Sequence, residues 1–131
     1  MVTHADEAPA FVLANEGYDV WMGNSRGTIP SRRHMKYDPD GRHKALYWDF
    51  SWAEMGKYDI LASLKKVKNI TGVEKVTFIG HSMGNTQLFY ALSHDLTRNY
   101  LKKDINLFIA LAPVTQIKHH DSVLLWTLSW V

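Results

Sequence analysis

The sequence has 131 residues, the length of one ordinary domain, and its 46% hydrophobic content is enough to bury a core. Its 15 basic and 13 acidic residues give a formal charge of +2, mixed along the chain, which excludes a nucleic-acid surface built on a run of like charge. Cysteine is absent, so the chain holds no disulfide framework and no thiolate metal site.

The first residues, MVTHADEAPAFVLANEG, lack a basic segment followed by an apolar one, so no cleavable secretion signal is expected within them. From Asp6 to Glu16 the apolar positions Ala10, Phe11, Leu13 and Ala14 fall at helical spacing, and Gly17 stands where a helix would be closed. The β-prone run YDVWM, Tyr18 to Met22, is ended by Gly23 and Asn24 and predicts a strand. A polar loop of about two dozen residues, rich in Arg, Pro, Gly, Asp and His, follows; loops of that length usually carry function or are disordered.

The segment SWAEMGKYDILASLKKVKNITG, Ser51 to Gly72, predicts one helix. Trp52, Met55, Ile60, Leu61, Leu64 and Val67 form its stripe, and Ser51 with Glu54 makes a capping box. KVTFIG then reads as a strand, NTQLFYALSHDL as a helix, and INLFIALAP as a strand stopped by Pro113. Helices alternating with wholly apolar strands predict an α/β fold whose parallel sheet is covered on both faces. The final run SVLLWTLSWV, at ten residues, is too short to span a bilayer. Apolar side chains still needing cover at the end of the sequence point to a longer parent protein.

The chemistry concentrates in Gly80-His81-Ser82-Met83-Gly84, which matches G-x-S-x-G between a predicted strand and a predicted helix. Small residues on either side of the serine let the chain turn sharply without Cβ clashes, and the turn lifts the hydroxyl above the sheet. The Met83 N–H, at the positive end of the following helix, is placed to stabilise an oxyanion. The motif leaves two roles open for Ser82: a nucleophile, or a plain N-cap between glycines.

Beyond the motif, the blocks LANEGYDVWMGNSRGT, YWDFSWAEMGKYDI, TGVEKVTFIGHSMGNTQ and LFIALAPVT resemble the acid lipase family of α/β-hydrolases, in that family's order and over most of the chain. The resemblance implies a partial α/β-hydrolase fold over residues 1–131, with Ser82 as nucleophile and Met83 N–H as an oxyanion donor. It implies a serine lipase acting on triacylglycerols or cholesteryl esters in lipid metabolism, with no cofactor, and with contact to a lipid interface. It also implies a secreted or lysosomal setting. The family has Gln where Met83 stands, a change that a backbone donor tolerates. Its second oxyanion donor precedes the matched region, and its cap and triad Asp and His follow it, so both triad partners are expected outside the chain. Asp49 and Asp59 are the partners the matching blocks suggest for Arg26.

The remaining residues are read locally. His119, His120 and Asp121 follow Ser82 in the order Ser, His, Asp, not the Ser, Asp, His order of this fold, and are expected in a solvated loop. His81 is expected to pack or hydrogen-bond beneath the active site, with a direct part in substrate handling as the alternative, and His94 is expected to be solvated. Arg26, in the loop GNSRGT, is read as an ion-pair anchor or as an anion contact. Trp48, Phe50 and Trp52 are read as core or as acyl-pocket lining. Asn69-Ile70-Thr71 is an N-glycosylation sequon. No metal-ligand spacing and no nucleotide fingerprint is present in the sequence. A thioesterase or acyltransferase shares the same elbow, so the ester class rests on the four blocks. A competing reading makes the chain an inactive lipase remnant that binds lipid or a partner through exposed sheet edges.

Overall fold

The computed structural model describes residues 7–115. The first helix, α1 (Pro9–Asn15), closes as its sequence predicts. Gly17 takes φ +89°, its N–H donates to the Ala14 carbonyl at 3.0 Å, and the Tyr18 N–H reaches back to Leu13 at 3.1 Å. These are the two bonds of a Schellman closure, which a Cβ at the glycine would oppose. Tyr18–Met22, predicted as a strand, pairs with no other strand among the described residues. A β-prone run becomes a strand only when a neighbour completes its ladder. The polar loop that follows contains a single 3₁₀ turn (Ile29–Ser31) and the short helix α2 (Lys44–Tyr47).

The capping box forms as predicted. Ser51 Oγ accepts the Ala53 N–H at 3.1 Å, and Glu54 Oε2 accepts both the Ser51 N–H and its hydroxyl at 2.8 Å. These bonds from Ser51 hold the Glu54 carboxyl below its usual range. The helix it opens is not uniform: α3 (Trp52–Glu54) passes through a π turn (Met55–Asp59) before α4 (Ile60–Thr71). Gly56 is buried in the π turn, and a Cβ there would lie 2.4 Å from the Gln87 carbonyl oxygen. The widened turn thus sits directly on the backbone of a neighbouring helix. Gly72, in the left-handed region at φ +74°, ends α4.

After α4 come β1 (Val76–His81), α5 (Met83–Ser93), α6 (Asp95–Asp104) and β2 (Ile105–Leu111). The helix α6 was not expected from apolar spacing. Its signals are electrostatic: Asp95 in the first turn, and Lys102 with Lys103 in the last. His94, expected in solvent, is its cap, with Nδ1 accepting the Leu96 N–H at 3.3 Å. Lys68 of α4 pairs with the buried Asp104 at the end of α6, and burial together with Asp104 raises the hydroxyl pKa of neighbouring Tyr100.

The two strands run parallel, with Phe78 opposite Phe108 and His81 opposite Leu111, and the register is irregular between Val76 and Thr77. Leu88 and Ala91 of α5, Leu101 of α6, and Ile60 and Leu64 of α4 form the core, against which Val76, Phe78, Ile105 and Phe108 pack. All three helices therefore cover one face. On the other, Ile79, Leu107 and Ile109 are 43%, 53% and 37% exposed. Cover on both faces, as the apolar strands led us to expect, is present on one face among the described residues.

Candidate active site

The site is built where β1 meets α5. Gly80 is buried near the end of β1, and a Cβ there would fall 2.4 Å from Asn85 Oδ1, so a side chain at this position would have to displace that of Asn85. Ser82 then takes φ +51°, ψ −120°, a conformation that L-residues rarely adopt. Two backbone bonds hold it: the Ser82 N–H donates to the Leu111 carbonyl at 3.1 Å, and the Ser82 carbonyl accepts the Asn85 N–H at 3.0 Å.

Ser82 stands at the N-cap position of α5, yet its side chain makes no capping bond. The hydroxyl is thus not spent on the helix. Met83 is the first residue of α5, a position whose N–H has no partner within the helix and lies at the positive end of its dipole. The second motif glycine behaves differently from the first. A Cβ at Gly84 would meet nothing within 4 Å among the described residues, so Gly80 carries the steric demand here.

A strained serine between strand and helix is the geometry that G-x-S-x-G requires. The profile of the alpha/beta hydrolase fold family matches residues 6–130. The chain belongs to that family. It is 45% identical to mouse lipase member K over 113 residues, which is 86% of this chain and 27% of that protein. It is 46% identical to rat gastric triacylglycerol lipase over 115 residues, 88% of this chain and 28% of that one. With the nematode Caenorhabditis elegans lipase lipl-5 the identity is 40% over 119 residues, 91% of this chain and 28% of the relative. The similarity to the acid lipases therefore runs through nearly the whole chain, which spans about a quarter of these relatives' length.

The loop that follows residues 18–22 braces the π turn and α5. Asp59, at the end of the π turn, accepts from the Arg26 backbone N–H at 2.9 Å, from Arg26 Nε at 2.9 Å and from Nη2 at 2.7 Å. Of the two carboxylates proposed for Arg26, Asp59 is the partner and Asp49 is exposed. The guanidinium also lies over the rings of Phe50 and Tyr58, at 5.7 and 5.4 Å. Arg26 is an anchor, with its Nε and Nη2 donors committed to Asp59. The preceding residue adds a second tie: Ser25 Oγ donates to Gln87 Oε1 at 3.2 Å, and Gln87 Nε2 reaches Met55 Sδ at 3.2 Å.

Trp48 and Phe50 pack with Tyr47 in a cluster beside Gly27, where a Cβ would fall 2.8 Å from the Trp48 ring; Trp52 instead meets Tyr90 edge-on. This cluster is separate from the main core, and Trp48 and Trp52 remain partly exposed. His81 is exposed, on the uncovered side of β1, and its side chain makes no hydrogen bond among the described residues. The expectation that it packs beneath the site is corrected, because strand alternation turns it away from the helices. His119, His120 and Asp121 lie outside the described residues.

Asn85 and Gln87 were not singled out by sequence reasoning, although both are buried in the first two turns of α5. The available signal was two polar residues on a helix that otherwise packs Leu88 and Ala91 into the core.

Proposed function

We propose that this chain carries the nucleophile of a serine lipase acting on neutral lipid esters, with Ser82 attacking the ester carbonyl and the Met83 N–H stabilising the developing oxyanion. The observation that carries the reading is the positive-φ turn at Ser82 with an uncommitted hydroxyl, set within a chain 40–46% identical to proteins named as lipases. In this scheme Ser82 Oγ bonds to the acyl carbon while a histidine takes its proton. Collapse of the oxyanion expels the alcohol, which receives that proton, and water then releases the acid by the same steps. An aspartate orients the histidine. By the resemblance to the acid lipases, both come from beyond the region described, and the elbow supplies the nucleophile and one oxyanion donor. The substrate class follows from the relatives; a triacylglycerol and a cholesteryl ester are both within it.

A second reading is favoured by the uncovered apolar face of β1 and β2: an inactive lipase remnant that binds lipid or a partner. A fluorophosphonate probe applied to the chain and to Ser82→Ala separates the two. Labelling that disappears in the variant supports the nucleophile and removes the remnant reading. Absence of labelling, with the chain folded, favours the remnant reading and counts against Ser82 as a nucleophile in this chain.

A further inference from the structure

We propose that Asn85 is a positioning residue for Ser82, its side-chain amide locking the strained turn to the end of β2. The geometric part of this inference stands on the hydrogen bonds alone; its catalytic consequence rests on Ser82 being the nucleophile.

Asn85 is fully buried three residues after the serine, and its Nδ2 donates to the Leu111 carbonyl at 2.8 Å. That oxygen also receives the Ser82 N–H at 3.1 Å, so both of its acceptor sites are occupied. Asn85 therefore bears on the turn from two sides. Its backbone N–H holds the Ser82 carbonyl at 3.0 Å, and its side chain holds the group to which the Ser82 N–H is bound. A conformation as sparsely populated as φ +51°, ψ −120° persists only when its surroundings over-determine it, and these contacts do so.

The other end of the amide identifies the purpose. Asn85 Oδ1 is buried and without a partner among the described residues. An unpartnered buried acceptor is a net cost, and leucine, with nearly the same shape, would avoid it. The asparagine is thus a poor choice for packing and a specific one for direction. Gly80 fits the same logic, since its missing side chain leaves the space that Asn85 Oδ1 fills. The next residue repeats the device one step on: Thr86 Oγ1 donates to the Val114 carbonyl at 2.6 Å, beyond Ala112, itself at φ +43°. The first turn of α5 is stitched at two points to the chain leaving β2.

The test is Asn85→Leu in the full chain, read by amide hydrogen exchange, thermal unfolding and fluorophosphonate labelling. We expect the unfolding midpoint to hold or rise, the Ser82 amide to exchange at least about tenfold faster relative to the amides of β1, and labelling to slow by a similar factor. Ser82 exchange that stays in step with β1 would show that Asn85 only packs, and would overturn the inference. A wild-type chain with a protected Ser82 amide but no labelling would defeat the lipase reading while leaving the tie intact. Should Asn85→Leu not fold, Gly80→Ala alone and combined with Asn85→Ala decides the contact. The double variant is expected to regain part of the midpoint lost by Gly80→Ala, and strict additivity refutes the coupling.

Discussion

Replacing Gly56 with alanine tests how closely the π turn must approach α5. The new Cβ would lie 2.4 Å from the Gln87 carbonyl oxygen and 3.2 Å from Tyr90 Cδ1. The first of these is backbone, so rotating a side chain cannot relieve it. Reaching ordinary contact requires the π turn and α5 to separate by about 1 Å, enough to forfeit a quarter to a half of the dispersion between atoms on either side. Overpacking of this kind costs ~1–3 kcal/mol, and the helix propensity gained on leaving glycine returns at most ~1 kcal/mol. The expected net loss is about 1–2 kcal/mol, or roughly 4–7 °C in midpoint. Denaturant unfolding of Gly56→Ala beside Gly84→Ala measures it, because Gly84 faces open space among the described residues and should be neutral or slightly stabilising. Equal behaviour of the two variants would refute the claim that contact at Gly56 shapes the turn.

Arg26→Lys keeps the charge but loses the forked contact with Asp59, and should cost ~1–3 kcal/mol by the same unfolding assay; full retention of stability would show that charge alone suffices. The capping box should respond to acid. Because Ser51 lowers the Glu54 pKa below 4.5, its stabilisation is complete above that pH and is lost as pH falls through the folded value, so Glu54→Gln should flatten the acid limb of the stability curve. Leu88→Ala empties a fully buried site in the core and should cost about 2–5 kcal/mol in denaturant unfolding, where a loss under ~1 kcal/mol would place the core elsewhere.

Features that depend on a few consecutive residues were legible in the sequence. The glycine closure of α1, the box at Ser51, both apolar strands and the sharp turn at Ser82 each announce themselves within six or so positions. What escaped depends on contacts across the fold. A π turn differs from an α turn by one residue per ring, and the pattern at Met55–Asp59 reads equally well as either; the approach of Gln87 to Gly56 gives the π turn its setting. Tyr18–Met22 has the composition of a strand but no ladder among the described residues. The helix α6 was hidden because its three buried positions, Thr97, Leu101 and Asp104, include two polar residues and make no apolar stripe. At the site, Ser82 and Gly80 were visible, whereas Asn85 was not. Its role is defined by a carbonyl 26 positions away.

The irregular register at the start of β2 settles a matter of parity. Ile105 and Phe108 both face the core, yet they are an odd number of positions apart, and in a regular strand such residues point to opposite sides. The irregularity resolves this: Val76 pairs with Ile105 but Thr77 with Leu107, leaving Asn106 as the extra residue, its side chain taking a hydrogen bond from Thr77 Oγ1 at 3.1 Å. Since α6 ends at Asp104 and β2 begins at the next residue, no linker exists in which this half-step could be absorbed. Asn106 therefore works as a phase shifter between helix and strand. It lets the buried end of α6 fix Ile105 while Leu111, five residues on from Asn106, still arrives opposite His81 with its carbonyl in reach of Ser82.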